Sequence, residues 1–391
     1  MVSKENSFCY LDNAATSWPK PPAVVAAIQH FYGELGVAAE RSGSSRAWTV
    51  ERAIQKCRRQ VKELLSSGTN DSVIFGFNGT DVLNLAIHGV VQAGDHVVTT
   101  VAEHNSTLRP LEYLREHLGI SVSLAECDSQ GLIDPSEIQS LMRPDTSLVC
   151  LSHVSNVTGV VQPVEEIGKI CQDREVLYLV DAAQSLGHLP VDVKQIGCDF
   201  LTSSGHKGLL GPLGTGVLYI AEEANSSVRP LRQGGTGTQS QTSIQPVEMP
   251  YRLESGNLNT GGIMGLSAGL THVLETGLTC IQRHEATLSE KLTQAMGDLK
   301  KIRLIGTEAK QRTGTVSFQL EGADPNQIAS VLDSAFGFQV RAGLHCAPKM
   351  HESLGTLVDG GTVRISPGLF NTEQDIDDLI SALREIATNM S

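Results

Sequence analysis

Short apolar runs alternate with stretches of three-and-four spacing along the first two thirds of the chain, a pattern that predicts strands interleaved with surface helices. The runs at residues 72–77, 96–100, 147–152, 176–180, 200–203 and 216–220 are rich in Val, Ile, Leu, Phe and Tyr and read as strands. Residues 50–65 and 164–172 carry apolar side chains three and four apart, as surface helices do. Strand and helix in alternation imply an α/β fold with a largely parallel sheet covered by helices. Past residue 259 the pattern changes to long helices over 262–275 and 281–299, then to short strands around 314–320 and 362–366. A last helix is predicted from residue 371, where Thr372 and Asp375 form a capping-box-like start ahead of an Ile376, Leu379, Ile380, Leu383 stripe. This reads as a large α/β domain over residues 16–258 and a smaller α+β domain over 259–391 that also takes in residues 1–15. No internal repeat or low-complexity tract appears.

A chain of 391 residues with 40% hydrophobic content can bury a sizeable core. Its 30 basic and 43 acidic residues give a net charge of -13, which argues against a broad grip on nucleic acid or an anionic membrane. Small molecules and other proteins are the better partners. The first residues lack the apolar core of a signal peptide and no apolar run is long enough to span a bilayer, so a cytoplasmic protein is expected. The eight cysteines, at positions 9, 57, 127, 150, 171, 198, 280 and 346, include no Cys-x-x-Cys pair and no zinc-type spacing, so no metal site is expected. Most read as buried, reduced core residues. Cys346 differs, because its neighbours from Arg341 to Pro348 include Gly, His and Arg and read as a loop.

The candidate chemistry centres on Lys207, in Ser203-Ser204-Gly205-His206-Lys207 just past an apolar run, and on Asp181 at the end of an earlier one. An amine that can form a Schiff base and a carboxylate that can keep a ring nitrogen protonated are what pyridoxal phosphate needs. In an open α/β sheet ligands gather at the carboxyl ends of the strands, where several other polar residues fall. Gly79 and Thr80 follow one run and precede a helix, so backbone amides and the Thr80 hydroxyl are placed to hold a phosphate; the same Asn-Gly-Thr is also an ordinary turn and cap. His104 follows another run and is a candidate to stack on a flat ring, or else a structural histidine. Asn156, Asp181 and Gln184 stand in the same position after their own strands. A buried Asp181 needs a partner, and a pyridinium nitrogen would be one.

Six ordered segments carry a family resemblance: 10–16, 103–105, 155–156, 181–184, 204–208 and 341–346. They resemble the signatures of class V aminotransferase-fold enzymes, and within that class the cysteine desulfurases of the SufS type and the selenocysteine lyases. The resemblance implies the fold type I architecture of pyridoxal-phosphate enzymes, with a mostly parallel seven-stranded sheet. It implies that Lys207 holds pyridoxal 5'-phosphate, Asp181 pairs with its ring nitrogen, Gln184 meets its phenolic oxygen and His104 stacks on its ring. Gly79, Thr80, Ser204 and His206 would hold the phosphate, and Asn156 would sit beside the ring and substrate. Thr260 would reach the cofactor of a second subunit, which implies a homodimer. Arg364, with Arg341, would grip the substrate carboxylate, a task suited to a fixed two-pronged donor.

The implied reaction converts L-cysteine to L-alanine. Lys207 moves the Cα proton, and Cys346 takes the sulfur as a persulfide for an acceptor protein. The chain departs from the commoner pattern at Gly79, where a second hydroxyl is expected, at Asn105, often a second histidine, and at Ala342, often a threonine. A C–S or C–Se lyase acting on cysteine or selenocysteine, and a non-catalytic scaffold of the same fold, are the other readings at this point.

Overall fold

The computed structural model describes residues 8–39 and 44–389. A seven-stranded sheet is built from β1 (Ser72–Gly76), β2 (His96–Thr100), β3 (Ser121–Ala125), β4 (Thr146–Ser152), β5 (Leu177–Asp181), β6 (Phe200–Ser204) and β7 (Gly216–Ile220). They lie in the order β1-β7-β6-β5-β4-β2-β3, and β7 alone runs against its neighbours. All six apolar runs are strands, within a residue or two of their expected ends. The seventh strand, β3, was missed. It is an edge strand of sequence Ser-Val-Ser-Leu-Ala that is only half-buried for most of its length, so it lacks the apolar density of the others.

The central strands read as continuous apolar runs because both faces are covered. Along β4, Val149 and Leu151 enter one core while Leu148 and Cys150 enter the opposite one. The first core takes the apolar stripe of helix Ser45–Leu64, together with Ile263, Leu266, Leu270 and Val273 of helix Thr260–Thr276. The second takes helix Gly79–Val90.

A four-stranded antiparallel sheet follows, with β8 (Ile302–Ile305), β9 (Val316–Leu320), β10 (Arg341–Gly343) and β11 (Thr362–Ile365) in the order β10-β11-β9-β8. It has its own core, formed with helices Leu278–Gly297, Pro325–Phe336 and Glu373–Asn389. The last helix starts with a reciprocal cap, since the Asp375 amide donates to Thr372 Oγ1 at 3.2 Å and the Thr372 amide to Asp375 Oδ2 at 2.8 Å. A bridge between Asp12 and Ser366 brings the start of the chain against the end of β11. Among the described residues no helix is long and apolar enough to cross a membrane.

Four of the eight cysteines are buried, Cys57, Cys150, Cys171 and Cys198; Cys280 is exposed, and Cys9, Cys127 and Cys346 lie between. Burial therefore claims fewer of them than composition alone suggested.

Candidate active site

Parallel strands in register end together, and here their ends carry the chemistry. Ser152 of β4 pairs with Asp181 of β5, and Asp181 pairs with Thr202 of β6, two residues before Ser204. The turn after β6 continues to His206 and Lys207, and β1 runs into helix Gly79–Val90. One cleft is lined by Gly79, Thr80, His104, Asn156, Asp181, Gln184, Ser204, His206, Lys207, Arg341 and Arg364. Of the residues singled out from the sequence, two stand apart from this lining: Cys346 at its edge, and Thr260.

Where β1 runs into its helix, Asn78 caps helix Gly79–Val90 by accepting from the Asp81 amide at 2.9 Å, and the first helical amides have no partner within the helix. A Cβ on Gly79 would collide with the Ser204 hydroxyl, so glycine here is what lets Ser204 approach the helix end. That accounts for the missing hydroxyl residue at this position. Thr80 Oγ1 lies 2.8 Å from Ser106 Oγ. His206 Nδ1 is buried without a partner, and burial, with Lys207 and Lys20 nearby, pushes its ring down to about 4. Amides, two hydroxyls and an orphaned imidazole nitrogen form a donor set suited to an anion.

His104 is held from one side. The Ser106 amide donates to His104 Nδ1 at 3.0 Å, which leaves the proton of the neutral ring on Nε2. Burial, then the positive charges of Lys207, Arg341, Arg109 and Arg364, push the ring down to about 4, so it is neutral at physiological pH. In the same cleft Asp181 Oδ1 accepts from the Ala183 amide at 2.9 Å, and burial pushes the carboxyl up, against the pull of that amide and of Lys207. Gln184 Nε2 donates to the Ala14 carbonyl at 2.9 Å. Lys207 is pushed down to about 8 by burial first; Arg364 and Arg341 push the same way, while Asp181 and Cys346 oppose them. A lysine so placed reaches its neutral, nucleophilic form near physiological pH. These residues fit pyridoxal phosphate: a donor set for an anion, a desolvated carboxylate and an amine line one cleft.

Arg341 and Arg364 are direct cross-strand partners on β10 and β11. Like charges set opposite each other are unfavourable unless an anion is shared between them. Arg364 is 1% exposed, donating from Nη1 to the Asn156 carbonyl at 3.0 Å and from Nη2 to Asp12 Oδ1 at 2.6 Å. Asp12 thereby fixes the orientation of Arg364, a role the sequence did not reveal although Asp12 lies in one of the six segments.

The Cys346 loop is tied at its backbone. Asn156 Nδ2 donates to the His345 carbonyl at 2.6 Å, and the Asn105 amide to the Cys346 carbonyl at 2.8 Å. His345 and Cys346 both take positive φ, 48° and 61°, a conformation that costs non-glycine residues energy and persists only where surrounding contacts enforce it. The thiol meets Arg341, whose Nη2 donates to Sγ at 3.5 Å. The ring of His345, next to Cys346 in the chain, bonds elsewhere. It is buried, pairs through Nε2 with Thr362 Oγ1 at 2.9 Å, and is held neutral by burial and by Arg364. Thr260 lies instead at the start of helix Thr260–Thr276, facing a different groove beside Arg58 and Glu254. Among the described residues no group of three or more His, Cys, Asp or Glu side chains is placed to hold a metal ion.

Comparison with known proteins gives a consistent result. A protein of Methanothermobacter thermautotrophicus named "probable cysteine desulfurase" is 36% identical over 97% of this chain and 94% of its own length. A cysteine desulfurase of Yersinia pestis is 31% identical over 96% of this chain and 93% of its own. The apo structure of a cysteine desulfurase from Thermococcus onnurineus superposes with a TM-score of 0.89 at 32% identity, covering 99% of this chain and all of the other. The same fold recurs in a cysteine desulfurase from Escherichia coli, with a TM-score of 0.86 at 28% identity over 97% of this chain and 94% of the other. The class-V aminotransferase family model matches residues 9–379, and the chain belongs to that family.

Proposed function

We propose that the protein is a pyridoxal-phosphate-dependent cysteine desulfurase that converts L-cysteine to L-alanine, holds the sulfur on Cys346 as a persulfide and passes it to an acceptor protein. The observation that carries this reading is the Arg341 to Cys346 contact, because Arg341 lines the cleft with Lys207 and Arg364 while donating to the thiol sulfur. A thiol held at the rim of an amine-bearing cleft suits sulfur transfer and has no use in amino-group exchange.

Bound in this cleft, pyridoxal phosphate supplies an electron sink for the pair left when the substrate Cα loses its proton. The chain's own residues do the rest. The helix end at Gly79 and Thr80, with Ser204 and His206, would bind the phosphate, and neutral His104 would stack on the ring. Asp181 would keep a proton on the ring nitrogen, and Gln184 would meet the phenolic oxygen. Arg364 and Arg341 hold the substrate carboxylate, with Asn156 beside it. The amine of Lys207 receives the Cα proton. Cys346 then forms a sulfur–sulfur bond to the substrate sulfur as the carbon–sulfur bond breaks; the electron pair stays with the carbon, which takes up a proton and leaves as alanine.

The covalent capture of pyridoxal phosphate by the apo-protein should accelerate as pH rises through about 8, where Lys207 gives up its proton, and then level off. Stopped-flow absorbance reads this directly, and a rate flat across that range would contradict a desolvated Lys207. Given L-cysteine and a reductant, the loaded protein should release alanine and sulfide in equal amounts. Pyruvate and ammonia in place of alanine would mean elimination and would overturn the desulfurase reading.

Two copies sharing their sites is part of the same proposal. Thr260 stands outside its own chain's cleft, while Tyr32, which packs beside Gly261, is 68% exposed and Leu213 is 68% exposed next to Pro212, itself packed on Gly265. Exposed apolar side chains around the start of that helix favour burial against a second copy.

A further inference from the structure

Glu103 takes no part in the steps above, yet it is fully buried three residues past the end of β2 and one residue before His104. Its carboxylate accepts three hydrogen bonds: Oε1 from Thr100 Oγ1 at 2.8 Å and from the Ser152 amide at 3.0 Å, and Oε2 from Ser152 Oγ at 2.8 Å. The donors come from β2 and β4, and Ser152 is the register partner of Asp181 on β5 and lines the cleft with it. Ser152 thus stands between two carboxyl groups. Both of its donors are committed to Glu103, and none of the three donors is a cation, so hydrogen bonds alone satisfy the buried carboxylate.

The titratable groups around Glu103 are Asp181, Cys150 of β4 and Tyr178 of β5. Burial drives the thiol and the phenol up, so both stay neutral, and Asp181 is the one that shares charge with it. Burial, against the pull of Ser152 and Thr100, pushes Glu103 itself up to about 7.

We propose that Glu103 is a positioning residue: through Ser152 and Thr100 it fixes the strand ends that carry the cleft residues, and in its ionised form it adds a second negative charge behind Asp181 that would favour the protonated form of the Lys207-linked cofactor. The inference rests on the pyridoxal-phosphate reading of the cleft. Glu103→Gln removes the charge and keeps the shape. Its amide oxygen can accept from Thr100 and from the Ser152 amide and its nitrogen can donate to Ser152 Oγ, which leaves the Ser152 hydroxyl proton and the second amide N–H without the acceptor that the carboxylate supplies.

The test is a pH titration of the cofactor's visible absorption band in loaded parent, Glu103→Gln and Glu103→Asp proteins, with thermal melting alongside. The midpoint should fall by about half a pH unit or more in Glu103→Gln, since loss of a nearby negative charge disfavours the protonated form, while the protein still melts cooperatively, at a temperature lowered by the two donors left unpaired. Glu103→Asp, which keeps the charge, should return the midpoint toward the parent value. A Glu103→Gln protein that titrates with the parent overturns this inference alone. A parent that takes up no cofactor overturns it together with the reading of the cleft.

Discussion

Lys207→Ala should cut alanine formation from L-cysteine by about 10³-fold or more, the upper range expected for a group that moves a proton in the rate-limiting region. The loaded variant should also lack the visible band that depends on a covalent link to the lysine. The loss should not come from unfolding. In the folded protein burial holds this amine at about 8, below the ordinary lysine value of about 10.4, so in the folded state its charge is disfavoured. The sign follows: between those two values the unfolded chain binds more protons, and the parent apo-protein gains stability as pH rises through that window. Alanine at this position removes the dependence, and the apo-variant should melt no lower than the parent at pH below about 8. Partial rescue of turnover by an added small amine would tie the defect to the missing amine; a variant that keeps more than a tenth of parent activity would rule Lys207 out as the base.

Much of this cleft was legible because of how parallel sheets are built. An apolar run marks a strand, its carboxyl end marks the ligand side, and a polar residue just past the run is already half located. Asp181, Lys207, Thr80 and His104 were found in that way, and the geometry brings all four together. Strand β3 escaped because an edge strand needs one apolar face only, and its alternating Ser-Val-Ser-Leu is too short to stand out. Two carboxylates escaped for a different reason. Asp12 acts on Arg364, 352 positions away, and nothing near either residue in the chain announces the pair. Glu103 lies in one of the six segments, yet nothing in its residue type foretells burial, which only the convergence of β2 and β4 brings about. Positive φ at His345 and Cys346 is equally invisible to residue type, because His345 is turned by contacts with Thr362 and Asn156 from other parts of the fold.

Cys346→Ala should separate sulfur transfer from everything that precedes it. The side chain is half-exposed at the edge of the cleft, and the backbone bonds to Asn105 and Asn156 that position the loop do not involve the sulfur. Cofactor uptake and the absorption band should therefore match the parent, while alanine formation from L-cysteine falls by about 10²-fold or more, the scale on which losing a nucleophile registers. Cys346→Ser, with the wrong element for accepting sulfur, should fall as far. Arg341→Lys keeps a charge near the sulfur but loses the planar fork, so it should raise KM for cysteine more than it lowers kcat. The decisive comparison is the fate of the substrate in the alanine variant. Unchanged substrate, with the band perturbed by cysteine binding but no product, places Cys346 at the sulfur-accepting step. Pyruvate formed at the parent's rate without Cys346 would mean that the carbon–sulfur bond breaks by elimination, and that the thiol held by Arg341 serves the cleft in some way other than accepting sulfur.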